Sequence, residues 1–264
     1  MLRVIVMSFE ENSYDIEKEK LPYQMKLKLW HTAFGLQEVD RLKPSEYMYE
    51  LADKNAQGKI DYEAIYENIT TYYGKENISQ KTKEADIVSL RITELLSRSG
   101  FTFSPVMLLS IHKQLFKDIF ETMIPIGKFR TYNIKKKEPV LNGKSVIYTD
   151  YSMLSDALNY DFETEKKIHY NGLSSEEKAK HIMKFISDIW QIHPFGEGNT
   201  RTIAVFAIKY LQTKNFQVNN QMFEKYSAYF RNSLVLANYL DVQTNQFLDK
   251  FTENLLLGGK NELL

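Results

Sequence analysis

The spacing of apolar residues along the chain predicts a mainly helical protein. Apolar positions recur three and four residues apart, while the alternation typical of half-buried strands is scarce. Two stretches show the helical spacing most clearly: Ile182, Phe185, Ile186 and Ile189, and then Ile203, Phe206, Ala207 and Tyr210. Residues that interrupt helices are few, with 11 Gly and 6 Pro among 264 residues. We therefore predict an all-α fold.

Several short signals predict where the helices begin and end. Ser104 followed by Pro105 is typical of an N-cap with proline at the first helical position. Ser174 and Glu177 have the spacing of a capping box. Pro194 disfavours helical geometry at His193, so the helix that contains Ile182 is expected to stop there.

One segment departs from the helical pattern. The run from Pro139 to Tyr148 has two short β-prone stretches around Asn142-Gly143, and Asn-Gly is a strong signal for a two-residue hairpin turn. We expect one β-hairpin here, which would be the only sheet in the protein.

Composition and spacing also divide the chain into two parts. Residues 1–80 are expected to form a small module with helices near 26–35, 45–57 and 61–73, and residues 81–264 a larger domain. The polar stretch 74–83 is the best candidate for a linker. A purely structural role for the first part and a regulatory one remain open.

The overall composition excludes several functional classes. Lys+Arg and Asp+Glu are equal at 34 each, so net charge does not favour a nucleic-acid binder. The absence of cysteine excludes disulfides, thiol catalysis and cysteine-based zinc sites. The apolar run 1–7 is too short for a signal peptide or a membrane helix, and no other segment approaches that length. We expect a cytoplasmic protein that does not bind membranes.

The segment 193–201 carries three side chains suited to phosphoryl chemistry. His193 continues the apolar face of its helix and would lie at the helix end, aimed at the following loop, where it can act as a base. Glu197 offers a hard oxygen ligand of the kind that Mg²⁺ prefers. Arg201, in the first turn of the next helix, has a planar fork that suits a phosphate.

The backbone of the same segment predicts an anion site. Gly196 and Gly198 allow a sharp turn and close approach of a ligand, and Asn199 can cap the helix that follows. The first amides of that helix attract negative charge. Each residue alone has a structural explanation as a packed histidine, a turn or a cap. Their combination within nine residues points to positioning and charge stabilisation of a phosphoryl group.

This segment resembles the Fic motif, His-Pro-Phe-x-(Asp/Glu)-Gly-Asn-(Gly/Lys)-Arg-x-x-Arg. The matching residues are His193, Pro194, Phe195, Glu197, Gly198, Asn199 and Arg201. The stretch from Gly127 to Thr131 resembles another Fic segment, and the expected hairpin falls where the family carries a flap that holds a target side chain. The resemblance covers roughly residues 104–239.

The resemblance implies a protein AMP-transferase that moves AMP from ATP to a hydroxyl side chain of a target protein. In that function His193 is the general base, and Glu197 holds a Mg²⁺ ion that bridges the nucleotide phosphates. The phosphates are cradled by the loop from Gly196 to Thr200, that is, by Gly196, Gly198, Asn199 and Thr200, and Arg201 neutralises their charge. The flap from Pro139 to Tyr148 would bind the protein substrate.

Two departures from the motif leave alternatives open. Thr200 replaces the usual Gly or Lys, and Ala204 replaces the second Arg, which binds the outer phosphate of ATP in AMP-transferring members. Kinase-like members also lack that Arg, so a kinase-like phosphotransferase is one alternative. A catalytically idle nucleotide-binding regulatory protein is another.

The first part of the chain resembles the small antitoxin that partners some Fic toxins, here fused to the toxin-like domain. In the antitoxin a Glu pairs with the second Arg. The aligned stretch from Leu36 to Arg41 lacks both the hydroxyl residue and the Glu. Since Ala204 also removes the Arg, we expect neither half of that ion pair. We expect His112 to be a packed, structural histidine and Lys135–Lys137 to be a solvated run that can also meet an acidic target.

Overall fold

The computed structural model describes residues 21–75, 79–120, 124–242 and 244–264. Their regular structure is entirely helical, as predicted, and the helices are α1 (Tyr23–Gln37), α2 (Glu46–Ala56), α3 (Tyr62–Lys75), α4 (Gln80–Ser97), α5 (Pro105–Phe116), α6 (Leu154–Lys166), α7 (Ser175–Ile192), α8 (Asn199–Thr213), α9 (Gln221–Asn238) and α10 (Gln246–Leu256). Single 3₁₀ turns cover Glu38–Asp40, Pro139–Leu141 and Tyr151–Met153. The apolar run 1–7 lies outside the described residues. None of the helices in the described ranges is long and apolar enough to cross a membrane.

The helix boundaries follow the capping signals of the sequence. The hydroxyl of Ser104 accepts a hydrogen bond from the amide of Met107 at the start of α5. Ser174 and Glu177 form the expected capping box before α7. The helix α7 ends at Ile192, and His193 follows with a positive φ of 53°. Pro194 and the left-handed conformation of His193 thus end the helix where the sequence predicted.

The main core is built around α8. This helix is buried from Asn199 to Leu211, and it packs against α4, α5 and α7. A helix that is buried on all sides must be surrounded by neighbours, and its N-terminus is then fixed by the whole fold. The loop between α7 and α8 is therefore anchored at both ends in the core.

The helices α1, α2 and α3 form a second, smaller cluster that shares α1 with the main core. Trp30 and Phe34 of α1 belong to the smaller cluster, together with Leu90 of α4. On its other side, α1 contributes Leu29 and Leu36 to the main core. The helix α1 packs against both α4 and α9. The boundary at residue 80 stays a prediction, and α4 begins at Gln80 inside the expected linker.

The predicted β-hairpin is wrong. The turn itself forms, with Asn142 at φ 53° and Gly143 at φ 84°, but the described residues contain no strand. Two backbone bonds close the turn, from the amide of Glu138 to the carbonyl of Lys144 and from the amide of Gly143 to the carbonyl of Glu138. Beyond it the amide of Lys136 donates to the side chain of Ser145 rather than to a backbone carbonyl. Pro139 has no N–H to donate, so a ladder cannot start on that side either.

Candidate active site

His193 lies at the junction between α7 and the loop that leads into α8. Only 6% of its surface is exposed. Its ring Nδ1 lies 3.2 Å from the carbonyl oxygen of Trp190, so in the neutral ring Nδ1 carries the hydrogen and Nε2 is the acceptor. Burial lowers the pKa of His193 to about 3. The imidazole is therefore neutral near pH 7, which is the state that a general base requires.

Arg130 fixes the backbone at His193 and at Pro194. Its Nε donates to the carbonyl oxygen of His193 at 2.9 Å, and its own amide donates to the carbonyl of Pro194 at 2.9 Å. The remaining guanidinium N–H groups donate to the carbonyls of Tyr132 and Thr149. Arg130 is buried. Arg130 thereby joins the start of the loop to the segment that contains the turn at 138–144.

His112 holds the middle of the loop from α5. Its Nδ1 accepts the amide N–H of Gly127 at 2.9 Å, so Nε2 carries the hydrogen and donates to the carbonyl of Glu197 at 3.1 Å. The ring stacks on Phe195 with a centroid separation of 3.8 Å. Burial lowers the pKa of His112 to about 4. His112 is a structural residue, and what it supports is the candidate site itself.

Asn199 also shapes the loop, in a way that corrects its predicted capping role. Gly198, rather than Asn199, occupies the N-cap position of α8. The Asn199 side chain accepts the amide N–H of Phe195 at 3.0 Å and donates to the carbonyl of Phe195 at 2.8 Å. Its polar atoms are thus engaged within the loop, and the backbone amides of the α8 N-terminus are the donors that remain for an anion.

The geometry of the loop requires a glycine at position 198, and its neighbours pack closely against Gly196. Gly198 has a φ of 73°, and a Cβ there would collide with the ring of Phe116. A Cβ at Gly196 would collide with the hydroxyl of Tyr132. The close approach of the loop to Phe116 therefore depends on the missing side chain at position 198, whereas a side chain at position 196 would displace Tyr132.

Two adjoining cavities open beside the loop. The first has a volume of about 320 Å³ and is lined by His193 and by the loop from Gly196 to Thr200. The second, of about 440 Å³, is lined by Arg201 and Arg231. Asp40, Lys136 and Glu197 line both. The structure thus brings every predicted site residue to the first cavity except Arg201.

The N-terminus of α8 forms one wall of the first cavity. Gly198, Asn199 and Thr200 line it, and the first amides of a helix have no partners within the helix. The Thr200 hydroxyl accepts a hydrogen bond from the indole of Trp190 at 3.0 Å, so its side chain anchors the loop to α7. The aligned peptide dipoles favour an anion at this wall.

Glu197 is the residue available for a metal ion. Desolvation raises the pKa of its carboxyl, and the nearby Lys136 opposes that shift. Among the residues the structure covers, no three or more His, Asp or Glu side chains are grouped to hold a metal. Mg²⁺ is often bound by only one or two carboxylates plus substrate phosphates. Glu197 fits an ion of that kind, bound jointly with a nucleotide.

Arg201 lies in an ion-pair cluster instead of facing the first cavity. It is 2% exposed. Its Nε lies 2.9 Å from Asp40 Oδ2, and its Nη2 lies 2.7 Å from Glu84 Oε1. Its Nη1 donates to Gln37 Oε1 at 3.1 Å, and the guanidinium lies 4.8 Å from the ring centroid of Phe116. The guanidinium that was expected to neutralise phosphate is therefore neutralised by two carboxylates.

This cluster contains an ion pair that the resemblance to the antitoxin did not predict. The pair that the antitoxin makes, between a Glu and the second Arg, cannot form here because Ala204 replaces that Arg. The structure instead pairs Asp40 with Arg201. Burial alone would raise the pKa of Asp40, but Arg201 and Lys136 hold that pKa below its usual value. The shorter carboxylate reaches a different arginine, which only the tertiary structure reveals.

Lys136 also lies at the candidate site, which the sequence did not predict. Its Nζ lies 3.7 Å from Asp40 Oδ1, and its side chain lines both cavities. It is the middle residue of a lysine run, and a run of like charges normally indicates a solvated surface. The signal that could have singled it out is its position shortly after Arg130, which ties that segment to the loop.

Residues 102–211 match the model of the Fic/DOC family. The chain contains a Fic/DOC family domain. That range runs from α5 to the last turn of α8 and includes the whole loop, but Asp40 and Glu84, the carboxylate partners of Arg201, lie outside it.

One curated relative of the Fic/DOC domain is the protein adenylyltransferase VbhT of Bartonella schoenbuchensis. It is 25% identical over 151 residues, which cover 53% of this chain and 30% of that protein. The match therefore spans less than a third of the relative's length.

Solved structures share the fold of the Fic/DOC domain. The N-terminal Fic domain of Bep8 from Bartonella sp. 1-1C has a TM-score of 0.52 at 18% identity, covering 69% of this chain and 88% of that one. BepC from Bartonella tribocorum, solved with bound AMPPNP, has a TM-score of 0.52 at 17% identity, covering 69% and 90%. At these identities the likeness concerns the fold alone.

Proposed function

We propose that this chain is a protein AMP-transferase, which moves AMP from ATP to a hydroxyl side chain of a target protein. The observation that carries the proposal is the first cavity. It places a buried, neutral His193 beside the N-terminus of α8. A base and an anion-binding wall around one cavity suit attack by a hydroxyl on a phosphate. The similarity to the adenylyltransferase VbhT favours AMP transfer, and the AMPPNP bound to BepC supports ATP as the nucleotide.

In this reaction the target hydroxyl oxygen bonds to the α-phosphorus of ATP. The bond from that phosphorus to the oxygen bridging the β-phosphate breaks, and pyrophosphate leaves with the electron pair. His193 Nε2 takes the hydroxyl proton, because Nδ1 is committed to the carbonyl of Trp190. The amides at the start of α8 stabilise charge on the α-phosphate.

Glu197 would hold Mg²⁺ together with the nucleotide phosphates, and the ion would supply positive charge to offset theirs. The wall of the first cavity that the N-terminus of α8 forms carries no charged side chain. Lys136, which lines both cavities, is placed to add a further positive charge.

Incubation with ATP labelled at either the α- or the γ-phosphate tests the reaction. With Mg²⁺ and a lysate, AMP transfer predicts label on protein from α-labelled ATP only. Transfer of the γ-label alone would establish the kinase-like alternative, which Ala204 motivates. Saturable ATP binding without any transfer would establish the idle regulatory alternative. His193→Ala serves as the control for labelling by contaminating enzymes.

We also propose that the N-terminal segment restrains this site. The ion pairs of Arg201 with Asp40 and Glu84 support the idea, since they occupy the guanidinium that would otherwise attract phosphate. Both carboxylates come from outside the part of the chain that matches the Fic/DOC family model. An antitoxin-like restraint would work here through Arg201, not through the position of Ala204.

The combined variant Asp40→Asn and Glu84→Gln tests the restraint with little change in shape. Releasing Arg201 should raise nucleotide affinity or transfer rate by about 5- to 150-fold, the usual range for coupling between sites. The matched control is Asp53→Asn with Glu94→Gln, whose carboxylates do not contact Arg201. Unchanged affinity and transfer in a folded double variant would contradict the restraint. If the wild type itself transferred no α-label, that result would contradict the proposed AMP transfer and not the restraint.

A further inference from the structure

A buried network behind the candidate site has no part in the proposed chemistry. Glu138 is fully buried and pairs with Arg231 of α9, whose Nη2 lies 2.6 Å from Glu138 Oε2. The phenol of Tyr148 donates to the other carboxylate oxygen, Oε1, at 3.3 Å. A buried ion pair contributes little net stability, because desolvation offsets the attraction. Its presence here calls for another explanation.

The network ends at the candidate base. The ring of Tyr148 lies against the ring of His193, with 4.1 Å between centroids and 31° between planes. Trp190 meets the imidazole edge-on at 5.3 Å. The bond from Nδ1 to the Trp190 carbonyl fixes one atom of the imidazole, whereas the faces of the ring can be held only by such packing. Tyr148 is therefore the side chain that limits rotation of the imidazole.

Glu138 is itself held in place by its surroundings. Its amide closes the turn by donating to the carbonyl of Lys144 at 2.9 Å. Tyr148 follows in the extended segment after that turn, and Val146 and Tyr148 face the core while Ile147 is exposed. One carboxylate thus joins α9, the turn and the phenol.

We propose, as an inference that rests on the proposed function, that Tyr148 is a positioning residue for His193 and that Glu138 and Arg231 hold its phenol in place. The network keeps the imidazole in the orientation in which Nδ1 donates to Trp190 and Nε2 faces the substrate hydroxyl. A misplaced base loses rate without losing nucleotide binding, because the nucleotide is held by other groups.

Nitrogen NMR of the full chain, labelled at histidine, tests the proposal without requiring activity. The chain has five histidines, and His193→Gln assigns the signal of interest. In the wild type the shifts of His193 should report the Nδ1–H tautomer. In Tyr148→Leu they should report a mixture of tautomers. Tyr160→Leu, at an exposed tyrosine outside both cavities, is the matched control and should leave the shifts unchanged.

Kinetics supply the second arm. Tyr148→Leu should lower kcat by about 10- to 100-fold, with the KM for ATP within about twofold of the wild type. Tyr148→Phe keeps the ring and should recover most of kcat. Glu138→Gln keeps the shape without the charge, and should lower kcat with little change in KM.

Unchanged His193 shifts and unchanged kcat in folded Tyr148→Leu would overturn the positioning role. If that variant does not fold, the His193 shifts and kcat of Glu138→Gln decide whether the network positions the imidazole. A wild type with no transfer activity would refute the proposed function and leave the NMR result to judge the positioning of the imidazole.

Discussion

At the scale of single residues, the environment of each side chain decides its chemistry. His193 and His112 are both buried and neutral, yet their hydrogen bonds differ. His193 uses Nδ1 towards Trp190 and leaves Nε2 as the acceptor, whereas His112 uses both nitrogens to hold backbone groups. Only the first has a nitrogen available for a substrate proton, so the same residue type serves as a base in one place and as a support in the other.

His193→Ala should abolish measurable transfer. Loss of a general base typically lowers the rate by about 10²- to 10⁴-fold, while nucleotide binding relies on the amides of α8 and should be nearly unchanged. Transfer of α-label and ATP affinity are measured together. His169→Ala, at an exposed histidine, is the control and should behave like the wild type. Full activity in His193→Ala would remove the assigned mechanism.

Glu197→Ala should weaken the dependence of nucleotide binding on Mg²⁺, since the ion loses the carboxylate best placed to bind it. Calorimetric titration of ATP with and without Mg²⁺ gives the difference. Glu176→Ala, an exposed carboxylate in the first turn of α7, is the control. The same Mg²⁺ effect in wild type and Glu197→Ala would mean that another group holds the ion.

At the scale of elements, the loop between α7 and α8 is shaped by its neighbours. The helix α5 holds it through His112, and the segment after α5 holds it through Arg130. The turn at 138–144 is too short to pair as a ribbon, and its continuation supplies Tyr148 to the core instead. The extended segment that was expected to be a flap is therefore partly a support for the base.

The burial of His112 predicts acid destabilisation. Its pKa is lowered from 6.5 to about 4 in the folded chain, so the unfolded state gains the proton first as the pH falls. Stability that is present above pH 6.5 is lost as the pH falls towards 4, by on the order of 2 kcal/mol between pH 7 and pH 5. In His112→Gln this part of the pH dependence should disappear.

Thermal melting between pH 4 and pH 7 measures that effect. His169→Gln, at an exposed histidine, should keep the wild-type slope. Because His193 has a lowered pKa as well, some acid sensitivity should remain in His112→Gln. An identical slope in His112→Gln and the wild type would contradict the assignment.

The sequence predicts that the segment 139–148 contacts the target protein, and we expect that contact on its exposed side. Ile147 is 65% exposed between two buried neighbours, which leaves an apolar side chain in solvent next to Tyr148, whose ring lies against His193. Ile147→Asp should lower labelling of the target while ATP affinity stays unchanged. Val106→Asp, at an exposed residue of α5, is the control. Normal target labelling by Ile147→Asp would place the target contact elsewhere.

At the scale of the whole molecule, the described residues 21–75 of the N-terminal part pack against the rest of the chain. The helix α1 contributes to both apolar clusters, and it delivers Gln37, with Asp40 just beyond it, to Arg201. The same segment thus contributes to the core and carries the proposed restraint on Arg201. Removing the segment changes both at once, so it cannot distinguish them.

Deletion of residues 1–79 should therefore destabilise the chain strongly. It removes Leu29, Trp30 and Leu36 from the cores, and truncating even one such leucine to alanine costs about 2–5 kcal/mol. Melting followed by circular dichroism should show a transition lowered by at least about 10 °C or none at all. A truncated chain that melts like the wild type would show that the segment is an independent module. The Asp40 and Glu84 substitutions then remain the test of restraint.

The sequence by itself determined the helical fold, most helix boundaries and the loop that carries the candidate chemistry. These depend on apolar spacing, on caps such as Ser104 and Ser174, and on Pro194, which act between residues that are close along the chain. Tertiary structure alone decided that Asp40 and Glu84 neutralise Arg201, and that Tyr148, Glu138 and Arg231 lie behind His193. These contacts join residues far apart in sequence. Local patterns do not specify which distant carboxylate or aromatic ring a folded chain brings to a given side chain.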